Sequence, residues 1–394
     1  MSIPSSSSQI NTAGGPDLSF GNSTPKNGTV IAQLSGGLSR ALSDGSTITA
    51  GVAYAENKRF IVVTKHTPAG ELDSDFGVWY TATTDFVTLV HLTIQPNGKP
   101  LLLAALGNEQ TAFITRFNAH NGEVDQSFGI NGTRELGKVI STGLLPRGGL
   151  AVQADNNIVS VFHNGTDSFI YQLSSSGELI NFGRLDPIKA PNTHLNILLI
   201  TNSGFVIAGS SARKAHMVGL LHDGQLDSNF GNQGVVDLQF SNNENKQISA
   251  LSKGPNGQIA VAGGSYYIPP EMNFVASLLA NGQTNPQFHG GKPLESSTDE
   301  ESYTGVVTQA DGKVVALART PTGNLVTLIR HTLAGQLDPE FGNQGVAEAW
   351  RDPQGRPERS FIDTLELAQP GEKLQSSGIM STARASFIGR LLSQ

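Results

Sequence analysis

The chain has 394 residues, 45 of them Gly, with only 15% charged residues and a formal charge of -7. No Lys/Arg cluster or aromatic-interleaved basic stripe occurs, which argues against a nucleic-acid partner, and the lack of Cys excludes disulfides, thiol nucleophiles and thiolate metal sites. No run approaches eighteen apolar residues, so no membrane-spanning helix is expected.

Residues 1–15 are rich in Ser, Gly and Asn and lack the basic and apolar regions of a secretory leader. They are expected to form a disordered tail, on a protein that is cytoplasmic or exported without a cleaved leader. From residue 16 to 394 a single domain is expected, because one short string recurs throughout: PDLSFG at 16–21, LDSDFG at 72–77, VDQSFG at 124–129, LINFG at 179–183, LDSNFG at 226–231, TNPQFH at 284–289 and LDPEFG at 337–342. Each copy centres on a Phe, namely Phe20, Phe76, Phe128, Phe182, Phe230, Phe288 and Phe341. A period near fifty residues marks a repeat architecture.

Every interval also holds a turn dipeptide between two apolar runs, from Asp44-Gly45 and Asn97-Gly98 to Asp311-Gly312 and Pro370-Gly371. Such residues tolerate positive φ and predict a two-residue hairpin turn. After Phe230 the strands read GVVDLQF (234–240), ISALSK (248–253), QIAVAGG (258–264) and FVASLLA (274–280), and the other intervals follow the same frame. The second and third strands are nearly continuous apolar runs, and the first alternates with polar residues, so it is placed at the exposed edge.

The expected fold is therefore all-β: a seven-bladed β-propeller of four-stranded antiparallel blades. The last interval stops at Gln394, where the others continue into the Phe string, and the missing copy stands at 16–21. Residues 28–34 are thus expected to pair with the strand at 386–393, closing the ring and leaving no free edge at the seam.

The runs GQLDSNFGNQG (224–234), GQLDPEFGNQG (335–345) and QADGKVVALA (309–318) resemble the delta-60 repeat family of bacterial β-propeller repeats. The resemblance covers residues 16–394, with two degenerate copies, and implies a propeller without a general activity.

The Phe side chains read as wedges between adjacent blades or under the outer hairpin, each contributing roughly 1.5 to 3 kcal/mol when fully buried. The recurring Asp is preceded by a base on the strand before it: Lys65 with Asp73, Arg116 with Asp125, Arg330 with Asp338 and, across the seam, Arg390 with Asp17. Where the Asp is lost the base is lost too, as with Gln172 before LINFG and Ser277 before Asn285; Asp227, opposite Gly219, is the exception. Paired appearance and loss predicts structural ion pairs, since an unpaired buried charge costs several kcal/mol. No metal is expected at Asp73 and Asp75, which lack the ligand series of a calcium loop, and no cofactor is expected.

Hairpin turns and Phe strings share one regular face. The opposite connections vary in length and composition, and binding residues concentrate on such loops. Candidate recognition residues there are Tyr266, Tyr267, Trp350, Arg351, Asp352 and Arg356. The nine His show no metal-ligand spacing, and no nucleophile elbow, zincin helix or phosphate loop occurs. The leading expectation is a non-enzymatic scaffold binding a protein, peptide or glycan; the alternative is a hydrolase or lyase with its site in the central funnel.

Overall fold

The computed structural model describes residues 12–32, 35–55, 58–81, 87–106, 111–138, 148–163, 168–184, 194–241, 245–265, 272–296, 301–319, 326–350, 360–380 and 385–394; at 35–36, 54–55, 78–81, 138, 181–184, 301–302, 319, 350, 360–363 and 379–380 it describes the backbone alone. These residues form seven four-stranded antiparallel sheets and no α-helix. Six blades take consecutive strands: blade 1 spans 35–81, blade 2 87–138, blade 3 148–184, blade 4 194–237, blade 5 246–296 and blade 6 301–350. Blade 7 combines Ser360–Ala368, Lys373–Met380 and Ala385–Leu391 with Thr29–Ala32, so that Thr29 lies opposite Gly389 and Ala32 opposite Ser386.

The first strand of each sheet packs against its counterpart in the next blade, which makes these strands the inner ring. The strand that follows each Phe string is the outer edge, in keeping with its polar alternation. The middle strands are covered on both faces by neighbouring blades. Pro100–Leu106 is accordingly buried over all but its last residue, and Val326–His331 throughout.

Six of the blade junctions have apolar cores. Leu92 and Leu102 of blade 2 pack with Ile48 and Ile61 of blade 1, for example, and Leu150 and Ile158 of blade 3 with Leu101 and Ile114 of blade 2. The remaining junction, between blades 7 and 1, is largely polar. Thr47 Oγ1 donates to Gln375 Oε1 at 3.0 Å, Ser377 Oγ donates to the Gly37 carbonyl at 3.1 Å, and the Ala41 N–H donates to Glu366 Oε1 at 2.9 Å. Ser39, Thr47, Gln375 and Ser377 are all fully buried. Its apolar part is small, with Ala32 and Phe60 packed against Ala53 and Val62.

Two expectations need correction. The hairpins are not two-residue turns: five residues separate Ala41 from Thr47, and likewise Ile94 from Pro100. The Leu42 N–H donates to the Ser46 carbonyl and the Gly45 N–H to the Leu42 carbonyl, with positive φ at Gly45 alone. The Asp before that Gly acts through its side chain, as Asp44 Oδ1 accepts the Ser46 N–H at 2.9 Å. Second, residues 12–15, read as part of the tail, belong to the ring. The Gly14 N–H donates to the Leu392 carbonyl, and the Ala13 carbonyl accepts the Gly342 N–H.

Candidate functional site

The Phe strings form a repeated clasp between blades. Phe20, Phe76, Phe128, Phe230, Phe288 and Phe341 are all buried, while the Phe182 side chain lies outside the described residues. The N–H that follows the Phe donates to a carbonyl of the next blade: Gly21 to Ala69 at 3.1 Å, Gly129 to Ser176 at 2.8 Å, Gly231 to Asn281 at 2.7 Å. The Gly after that carbonyl has positive φ and packs on the string, against the Gly21 backbone at Gly70 and against the Phe ring at Gly177 and Gly282. A Cβ on Gly177 would lie 2.8 Å from the Phe128 ring, and one on Gly282 2.9 Å from the Phe230 ring. Glycine is required there both for φ and for space.

The charged residues predicted as pins meet in this clasp. Arg116 Nε donates to Asp125 Oδ2 at 2.8 Å, Arg330 Nε lies 2.7 Å from Asp338 Oδ2, and Lys65 Nζ is a longer 3.7 Å from Asp73 Oδ2. Arg390 is arranged differently from its expected pairing with Asp17. Its Nε donates to Gln375 Oε1 at 2.7 Å, and its Nη2 donates to the Gly45 carbonyl and Thr47 Oγ1, both at 2.8 Å. The polar seam draws this guanidinium across to blade 1, and Asp17 is held by Lys373 at 2.7 Å instead.

Two features of the clasp escaped the sequence reading. Each Arg lies over the Phe of its own string, with Arg116 at 4.8 Å from the Phe128 centroid, Arg330 at 4.6 Å from Phe341 and Arg390 at 4.0 Å from Phe20. A second base also reaches each Asp: Lys99 is 2.7 Å from Asp125, Lys373 is 2.7 Å from Asp17 and Lys313 is 3.0 Å from Asp338. The signal was available, since each of these Lys follows a hairpin turn seventeen residues before its Arg. Burial alone would raise the pKa of Asp125, but the hydrogen bonds from Lys99 and Ser127 and the charge of Arg116 hold it well below the usual carboxylate range. Asp17 and Asp338 are lowered against burial by the same kind of partners.

The same slot staples blade to blade. Arg116 Nη1 donates to the Ser175 carbonyl of blade 3, and Arg330 Nη1 to the Ser393 carbonyl beyond the last strand. Gln172, which replaces the base in blade 3, donates to the His222 carbonyl of blade 4 at 2.6 Å. His66 and His331 follow the base in their strands, are buried, and are pushed down to about 4 by that burial.

On the variable face, Tyr266, Tyr267, Arg351, Asp352 and Arg356 lie outside the described residues, and Trp350 is placed only as the last residue of the edge strand Val346–Trp350. The connections there run from two residues between Ser211 and Lys214 to nine between Trp350 and Ser360. In the short one, Ala212 and Arg213 both have positive φ, and Arg213 and Lys214 are exposed. His163 and His194, from blades 3 and 4, face each other nearby with centroids 4.3 Å apart.

On the inner strands, Arg40 Nη2 donates to His91 Nε2 at 3.1 Å, and burial beside Arg40 pushes His91 down to about 3. Glu366, also on an inner strand, is raised by burial and accepts from Gln375 Nε2 at 2.8 Å as well as from the Ala41 N–H. Among the described residues, no group of three or more His, Asp or Glu is placed to hold a metal ion, and no helix is long and apolar enough to cross a membrane.

No protein-family model matches the chain, and no curated protein matches it. Among solved structures, Drosophila Semaphorin 1b (extracellular domains 1-2) is similar with a TM-score of 0.55 at 12% identity, covering 96% of this chain and 88% of that one. A chain of the Drosophila Plexin A complex with Semaphorin 1b gives 0.55 at 10% identity, covering 96% and 88%. The polysaccharide lyase Uly1 gives 0.53 at 8% identity, covering 91% and 90%. At such identities the likeness is one of fold.

Proposed function

We propose that the chain is a non-enzymatic interaction scaffold that engages a protein, peptide or glycan through its variable face or central channel. The observation that carries this reading is the division of labour between the faces. The charged and aromatic residues of the regular clasp are paired with one another, whereas the opposite connections differ from blade to blade in length and chemistry. A rigid ring bearing variable loops is the arrangement in which recognition residues are positioned without being needed for the fold. One similar structure, the Plexin A complex with Semaphorin 1b, is itself a protein–protein assembly. We also propose membership of the bacterial delta-60 repeat propellers, supported by the role of the turn Lys and string Asp as partners in one clasp.

The test is affinity capture with the intact chain and a variant carrying Tyr266→Ser, Tyr267→Ser, Arg351→Ser and Arg356→Ser. Loss of captured partners by the variant is expected. Retention of every partner counts against this face.

The alternative, a hydrolase or lyase acting in the funnel, is favoured by the Arg40–His91 contact and the buried Glu366 on inner strands. A screen of glycan and ester substrates with the intact chain and His91→Ala addresses it. Turnover that disappears in the variant would establish this alternative.

A further inference from the structure

The regular face carries more than its clasps. Among the described residues, the large apolar side chains left exposed fall in the segments that lead into or out of the Phe strings. Leu72 of blade 1 is 61% exposed, Ile130 of blade 2 76%, Ile180 of blade 3 56% and Leu333 of blade 6 56%. Leu226 in blade 4, Leu279 in blade 5 and Leu18 in blade 7 complete one such group per blade.

The turn geometry does not require Ile130 or Leu333, whereas Leu72 and Leu226 belong to the repeated string itself. Ile130 bridges to Thr133 in the position where Asn232 and Asn343 make the same bridge in their own blades. Leu333 occupies the turn position held elsewhere by Pro68, Ala119, Ser175 and His222. Apolar groups that the turn geometry would exchange for Asn, Ser or His, yet that recur around the ring, mark a surface that meets something.

Charge defines what it meets. Exposed Glu123, Glu178, Asp223 and Glu340 stand on the same turns. Of the lysines of this face, Lys99, Lys313 and Lys373 turn their charge inward to Asp125, Asp338 and Asp17, whereas Lys253 and Lys292 are exposed. The face thus alternates apolar and acidic groups. We propose that it is a docking surface for a basic amphipathic polypeptide segment, one that presents Leu-like side chains among Lys or Arg. A second copy of this acidic chain would set like charges against each other, and an acidic lipid surface would do the same. This surface is distinct from the variable face, so either reading can fail without the other.

The probe is a synthetic amphipathic helical peptide of Leu and Lys, with a Leu/Glu peptide of the same pattern as control, followed by fluorescence anisotropy on the full chain. The Leu/Lys peptide is expected to bind and to weaken between about 50 mM and about 500 mM salt. The variant L72S/I130S/I180S/L333S should lose about tenfold or more in affinity, equivalent to about 1.4 kcal/mol, while melting as the parent does. If that variant fails to fold, E123K/E178K/E340K carries the same expectation. Unchanged affinity in the variants, or equal binding of the Leu/Glu peptide, overturns the proposal. So does a concentration-dependent dimer in sedimentation that the apolar variant abolishes, which would assign the surface to a second copy.

Discussion

At the scale of single residues, one side chain per blade links three kinds of interaction. Arg116 is paired to Asp125, stacked on Phe128 and hydrogen-bonded to the backbone of the next blade. Its truncation strands a buried carboxylate and removes a junction bond together. Arg116→Ala should cost about 3 kcal/mol in urea denaturation, and a loss under about 1 kcal/mol would show that Lys99 alone can hold the clasp. Protonation of the buried His and of the clasp carboxylates acts in one direction. His66 and His331 have folded pKa values of about 4 against an ordinary 6.5. As pH falls from 6.5 towards 4 the unfolded chain binds protons that the folded one does not, so stability falls. Asp17, Asp125 and Asp338, depressed in the fold, extend the loss below about pH 4. Replacing both His by Leu should lessen the fall of the urea midpoint between pH 6.5 and 4 by on the order of 2 to 3 kcal/mol per site, the remainder staying with His91. The pairing of Arg116 with Asp125 was legible in the chain, because the repeats act as internal comparisons in which partners vanish together. The stacking of Arg on Phe was not, since Phe is present in every copy and so carries no covariation.

At the scale of elements, the clasp turns separate two costs that glycine avoids. Gly177 has φ +87 and would drive a Cβ into the Phe128 ring, whereas Gly371 has φ +85 and open space around it. Gly371→Ala should therefore cost about 1 to 2 kcal/mol from backbone strain alone. Gly177→Ala should cost more by roughly another 1 to 3 kcal/mol from overpacking, and equal thermal shifts for the two would refute the close approach to the ring. Strand number and order were readable because period-two alternation and apolar runs report burial directly. The turn type was misread, because an Asp-Gly pair serves both a two-residue turn and the observed five-residue connection, and only the chain on either side decides between them. The candidate recognition loops were chosen by their length and composition; nothing in their sequence states how their side chains are held.

At the scale of the whole ring, the junctions are unequal. Apolar cores join blade to blade around most of the circle, while blades 7 and 1 meet through Gln375, Thr47, Ser377, Glu366 and Arg390. Buried polar contacts define register sharply but contribute less net stability than apolar ones. Hydrogen exchange should accordingly show peptides covering 37–49 and 364–378 opening at lower free energy than those covering 101–114, and equal protection would contradict a weaker seam. The closing strand was visible in the sequence as a missing repeat at one end and an extra one at the other. The polar character of the junction it helps to form was hidden, because Ser39, Thr47 and Ser377 look like ordinary strand residues until their partners from the other end of the chain are in place.

Blade 7 also sets an order in time. On a ribosome, residues 29–32 emerge long before the strand they complete, Ala385–Leu391. Six blades can form as they are made; the ring cannot, and until the final turn is released the first strand must wait without its partner. Closure is therefore a late event between distant segments, of the kind that loop entropy makes slow. A polar seam leaves less exposed apolar surface to aggregate during that wait, which gives the unequal junction a role in the birth of the molecule as well as in its finished form.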